Sequence, residues 1–437
     1  MKITFEEIHR RIQALNREID ELNLLKRKLP DHRAYSTDLQ VSFDRVVNDL
    51  LNQKLELEQL EVESPPTDLI ESILTVDMAT ASRIQVDRQI LGRPDEQDAQ
   101  IIEFLRAIPK TELHLHMEAC ISRETLMGIM DSHNTAYKPE EIDQLYNFKN
   151  LQEFIKLFLF ILDQIKQPED FILIFENLKS YCIANNIRYA EVFYAPSKLI
   201  QNGLPFPELA RLLDNLSRDC RLAGGPDIRY LVDVSRTFGP ENASSNLQRL
   251  LKSKTNSHIG IGLGGAELMG PAKDYRDVFA QAKAEGLRTV AHSGEDDGPW
   301  SIWDTVRILK AERVGHGTSA IQDPDLLTYL QEKQIPIEIC LTSNLFTGKY
   351  VRRAEDHPVR RYYDDGIICT INTDDPEIFN VDLTTEYYNH YKHLNFTITE
   401  LVDMVRMGVY GSFHPDPNSL WLQFKKEIDA KREQYSL

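Results

Sequence analysis

Cysteine is scarce: five residues in 437, at Cys120, Cys182, Cys220, Cys340 and Cys369. The number is odd and no CxxC pair occurs, which fits a reducing cytoplasm better than a disulfide framework. Long apolar runs are also missing. The longest, such as LFLFIL from Leu157, are far too short to span a bilayer. Residues 1–22 hold neither an uninterrupted apolar stretch nor a small-residue cleavage site, so no signal peptide is expected. Positive charge is in deficit. Fifty Lys and Arg against 68 Asp and Glu leave a formal net charge of -18. A binder of nucleic acid or of an anionic membrane would normally show a basic patch. Neither is expected as the main partner; a small molecule is.

What remains is ordinary for a globular protein, with 42% apolar and 27% charged residues. The length suggests one large domain plus an accessory part. Residues 1–100 form the accessory part. Phe5, Ile8, Ile12, Leu15, Ile19 and Leu22 step by three and four, an a/d seam with charges between. LPDHRAYSTDLQ breaks this helix, and Thr37 with Gln40 resembles a capping box for the next. That one carries Phe43, Val46, Leu50, Leu57 and Leu60, and stops at SPP from Ser64. A helical hairpin with short helices is expected. Its seam packs on itself or on the main domain, or else makes a homo-oligomer.

From residue 101 the pattern changes. Short β-rich runs alternate with helical segments: TELHL, RYAEVFY, IRYLVDV, IGIGL, LRTVA, RVGH, IPIEI and IICTI. Eight strand–helix repeats over residues 101–437 predict a (β/α)8 TIM barrel. An open doubly wound sheet would usually carry a Gly-rich phosphate loop after its first strand; here HLHMEAC follows, without glycine.

A barrel places its chemistry at the C-terminal ends of its strands. Those ends hold His114 and His116, GLGGAE (262–267), His292 and Glu295 in AHSGED, His316 in GHG, and Asp374 and Asp375 in NTDDP. His114 and His116 are two apart on a strand and face the same way. A lone HxH is equally at home in a buried strand. Joined by His292 and Asp374, it makes three imidazoles and a carboxylate, a set suited to Zn2+ with room for an activated water. Fe2+, Co2+ or Mn2+ fits the same donors. No lysine occurs in the third or fourth strand run to bridge a second ion, so one metal is expected. Glu295 is then a ligand, a general acid or a local acceptor. Asp375 is a site residue or part of a turn before Pro376. His316 is a satisfied buried histidine, or its flanking glycines mark a close backbone approach. A water nucleophile, a proton donor and an orienting group together amount to metal-assisted hydrolysis.

TELHLHMEAC, GLGGAE, AHSGED, RVGHG, CLTSNLFTG and INTDDPEIF, in this order and spacing, resemble the adenosine deaminase family. The resemblance covers about residues 101–430. It implies that His114, His116, His292 and Asp374 bind zinc, which lowers the pKa of a water that attacks C6 of a purine. Glu295 would protonate the neighbouring ring nitrogen. His316 would orient and deprotonate the water, and Asp375 would hydrogen-bond the water and the purine imidazole. Gly265 would offer its backbone N–H to the pyrimidine ring, and Glu118 would contact the sugar. Phe154 and Phe158 lie on the helix that lids the purine in the family, or simply pack on the barrel. Ala119 stands where the family usually has glycine, and Ala266 where it has aspartate or proline. Both lie on the sugar side and bear on which sugar is accepted, not on the deamination; the substrate that the resemblance implies is adenosine or a close 6-aminopurine nucleoside. The alternatives are 6-aminodeoxyfutalosine, adenine, and AMP or its N6-methyl form. A silent binding or assembly protein is disfavoured by the intact residue set.

Overall fold

A computed structural model describes Ala14 and residues 98–437, apart from 148–150, 254, 269 and 348, with residues 151–156 by backbone only. The expected N-terminal hairpin and its oligomerisation seam therefore lie outside the described residues, as does the side chain of Phe154.

Eight strands run in sequence order around one sheet, each parallel to the next. They are β1 Lys110–His116, β2 Ile187–Tyr194, β3 Asp227–Asp233, β4 His258–Gly262, β5 Arg288–Ser293, β6 Arg313–His316, β7 Ile337–Ile339 and β8 Cys369–Ile371. Each of the eight expected runs overlaps one strand. The architecture is a (β/α)8 barrel, not an open sheet. The strands are rich in Val, Ile and Tyr and are buried almost throughout, as strands with both faces covered must be.

Helices cover the outside. Asp170–Ala184 buries Phe171, Ile174, Phe175, Leu178 and Cys182 along one face. Ile398–Gly411 begins with a capping box between Thr397 and Glu400. Inside the barrel, Phe193, Leu231 and Val290 form a small apolar plug. The glycine of IGIGL at 262 makes room for it: a Cβ there would come within 2.5 Å of the Phe193 ring.

The seam between β8 and β1 is closed differently. One bridge pairs Leu115 with Asp374. His116 N donates to Asp374 O at 2.9 Å, and Asp374 N to His114 O at 3.1 Å. Below it, the Asn372 side-chain oxygen accepts from the backbone of Leu113 at 2.8 Å and of His114 at 3.2 Å. A side-chain amide here replaces the main-chain ladder.

Candidate active site and metal cradle

The C-terminal ends of β1, β5, β6 and β8 converge. His114 and His116 both turn into the barrel mouth. Nε2 of His292 lies 3.0 Å from Nε2 of His114 and 3.2 Å from that of His116. Asp374 Oδ1 lies 3.3 Å and 3.2 Å from the same two nitrogens. Ligands about 2.05 Å from one ion sit about 3.3 Å apart in a tetrahedral set, so these four separations suit donors gathered around a metal ion. His316 stands beside it: its ring nitrogen and the donors of His114, His292 and Asp374 all lie within 4.8 Å of one another. Its Nε2 is 4.0 Å from the second Asp374 oxygen and 3.4 Å from Glu295 Oε2.

Partners one layer out orient these groups. His114 Nδ1 lies 2.7 Å from Glu338 Oε2, which keeps the proton on Nδ1 and frees Nε2 as a ligand. Glu338 Oε1 in turn accepts from Arg313 Nε at 2.5 Å, and Arg313 reaches Glu191 at 2.6 Å. Ser343 Oγ donates to Asp374 Oδ2 at 2.6 Å. Asp374 and His316 hold φ of +69° and +63°, conformations that L residues avoid and that cluster at functional sites.

Burial disfavours charge on both β1 histidines. Against it, Asp374 raises His116 to about 10, and Asp374 with Glu338 raises His114 to about 9. The cradle thus demands positive charge, which a divalent cation meets in place of protons. His292 is held well below the ordinary histidine range by burial and by the neighbouring imidazoles. Glu295 is pushed well above the carboxylate range by burial, then by Asp296, Asp374, Glu267 and Asp375. Asp375 is raised to about 8 by burial and Asp374. Two carboxyl groups beside the cradle therefore favour their protonated forms.

Glu267 fixes the loop that carries Glu295. Its carboxylate accepts from the backbone of Gly294 at 2.6 Å, Glu295 at 3.1 Å, Asp296 at 2.9 Å and Asp297 at 3.1 Å. Ser301 also donates to it. Gly265 adopts φ +90° on an exposed turn, where a Cβ would press on Thr237. Glu118 is buried in the 3-10 turn Met117–Cys120 and accepts from Ala195 N at 2.8 Å. Phe158 is partly buried and packs on the main core. The close approach suggested by GHG is real, but its partner belongs to the chain: a Cβ on Gly315 would lie 2.8 Å from the His114 ring.

A family profile described as adenosine deaminase matches residues 109–430. The chain belongs to the adenosine deaminase family. Members are hydrolytic deaminases acting on C–N bonds, and this chain is an enzyme of that class. It is 32% identical over 328 residues to an aminodeoxyfutalosine deaminase of Streptomyces avermitilis, covering 74% of this chain and 91% of that protein. It is 30% identical over 298 residues to an adenine deaminase of Pseudomonas syringae, covering 68% and 93%. An amidohydrolase structure from Burkholderia ambifaria with bound zinc shares the fold, with a TM-score of 0.73, 23% identity and coverage of 79% and 96%.

Sequence reasoning missed Glu338, Glu191, Arg313, Ser343, Asn344 and Glu267. A signal was present for the first two: each puts a carboxylate in the middle of an apolar strand run, where it must find a partner. Ser343 and Asn344 lie in CLTSN on the helix Leu341–Thr347.

Proposed function

We propose that this deaminase hydrolyses the C6 amino group of a 6-aminopurine nucleoside, adenosine or a close relative such as aminodeoxyfutalosine. A single zinc ion would be held by His114, His116, His292 and Asp374. The observation that carries this reading is the close convergence of those four donor atoms with Glu295 held in its acid form next to them. Bound there, zinc would supply Lewis acidity that makes water a nucleophile near neutral pH.

The chain's own groups do the rest. Glu295 donates its proton to the purine ring nitrogen beside C6, the carboxylate left behind takes one proton of the attacking water, and the second water proton goes to the amine, which departs as ammonia. His316 and Asp375 hold the attacking oxygen and the purine by hydrogen bonds. Gly265, free of a side chain at the mouth, lets the ring approach its backbone N–H.

A phosphorylated substrate is disfavoured by the ion pairing of three of the five cations in the segment after β7. Arg353 binds Asp356, Arg360 binds Asp364 and Glu400, and Arg361 binds Asp365. Free adenine is the second reading. It is favoured by the engagement of Glu118 with Ala195 N, which turns one carboxylate oxygen away from a sugar. A panel of adenosine, 6-aminodeoxyfutalosine, adenine and AMP, scored by ammonia release, tests both. Turnover of a nucleoside in preference to adenine and AMP is the expected result. Failure of every 6-aminopurine would remove the purine assignment.

A further inference from the structure

We propose that His357, acting through Asn344, locks His316 in the neutral tautomer that carries its proton on Nε2. His316 then serves as a hydrogen-bond donor to the reacting oxygen, not as a base. The catalytic meaning rests on the deaminase reading; the tautomer itself does not.

The chain of assignments begins at a main-chain amide. Val359 N–H can only donate, and it lies 3.1 Å from His357 Nδ1. That nitrogen is therefore an acceptor, and the ring proton sits on Nε2. His357 Nε2 lies 3.1 Å from Asn344 Oδ1, and an N–H donates to a carbonyl oxygen. This contact settles which end of the Asn344 amide is oxygen. Asn344 Nδ2, 3.0 Å from His316 Nδ1, must then donate. His316 accepts at Nδ1, so its own proton is on Nε2. Reversing the His357 ring would put carbon atoms against both partners and lose two hydrogen bonds in a buried place.

All three side chains are buried. Burial, with His390 and His316 nearby, pushes His357 down to about 3, so it gains no second proton near neutrality. The far end of the relay points at the site. His316 Nε2 is buried with no hydrogen-bond partner among the described residues. It faces Glu295 Oε2 at 3.4 Å and Asp374 Oδ2 at 4.0 Å. An N–H aimed between the acid and the cradle has no lone pair there to take a proton. It can hold an oxygen and stabilise the negative charge that grows on it. His357 is thus a positioning residue, acting on the reaction through two intervening side chains.

The test is nitrogen-15 NMR of the full chain, zinc-loaded and labelled at histidine. The His316 ring is assigned by its loss in His316→Gln. The expected wild-type spectrum shows a protonated Nε2 and an unprotonated Nδ1. Asn344→Asp places an acceptor against Nδ1. It should move the proton to Nδ1 and lower kcat about 100-fold. KM should stay within about threefold. His357→Gln retains an N–H for Asn344 and should keep the wild-type tautomer and most of kcat, whereas His357→Leu should keep neither. A wild-type ring protonated on Nδ1, or on both nitrogens, overturns the proposal. So does a folded Asn344→Asp protein with an unchanged tautomer. The spectrum needs no substrate, so failure of the purine panel and failure of this proposal are separate results.

Discussion

A carboxyl group that must give up a proton near neutral pH needs surroundings that refuse its charge, and Glu295 has them. Burial comes first, followed by four neighbouring carboxylates. Replacing Glu295 with Gln should lower turnover by at least about 100-fold. Zinc content, measured by atomic absorption, should be unchanged. Loss of the metal in that variant would instead make Glu295 a ligand. The sign of the pH dependence follows from the same shift. A raised pKa keeps the competent acid form through neutrality and loses it as pH climbs through that pKa. The kcat profile should therefore fall on its alkaline side, and a profile that rises steadily into alkali would contradict the assignment.

At the scale of strands, the cradle depends on what lies beneath and beside it. Arg313 on β6 is fully buried between Glu191 and Glu338. Arg313→Met leaves two carboxylates uncompensated and should cost about 3–5 kcal/mol in denaturant unfolding. Freeing Glu338 from Arg313 should also weaken zinc affinity by about 10–100-fold, read by chelator competition. Gly315→Ala pushes on the His114 ring. It should lower zinc affinity with little change in helix content by circular dichroism. The strands themselves were legible because β-branched runs between helical segments are a local pattern. So were His114, His116, His292 and Asp374, each standing at the end of such a run. Glu338, Arg313 and Asn344 were not. Their meaning lies in partners 13 to 224 positions away, as in the Asn344–His357 and His114–Glu338 contacts, and only the folded barrel brings these together. In the basic segment after β7, Arg353 and Arg361 pair with acids three and four positions on, while the neutral His357 contacts Asn344.

Over the whole molecule, stability and metal should be linked. Chelation should abolish turnover and lower the melting temperature, and added zinc should restore both; activity that survives exhaustive chelation would overturn the metalloenzyme reading. Buried carboxyls far from the cradle set a second dependence. Burial raises Glu386 to about 8, and its carboxyl accepts from Thr342 N at 3.1 Å. Its share of stability is complete below its unfolded value of 4.5 and is lost as pH rises toward 8. Between pH 5 and 8 the wild type should lose on the order of a few degrees of melting temperature relative to Glu386→Gln. Parallel melting curves for the two proteins would rule this out.

The seam between the first and last strands has a consequence for how the molecule is completed. Two of the proposed zinc donors lie on β1 and a third, Asp374, just past β8, some 260 positions along the chain. An ion shared by them works as a clasp across the join. It ties the ends of a long loop whose closure is otherwise made by one bridge, the Asn372 amide and the Thr373 hydrogen bonds to Glu112. A chain cut short before residue 372 keeps three histidines but has nothing to fasten them to. The ability to retain zinc is then a report that the final strand has docked, and the chemistry cannot begin on an unfinished barrel.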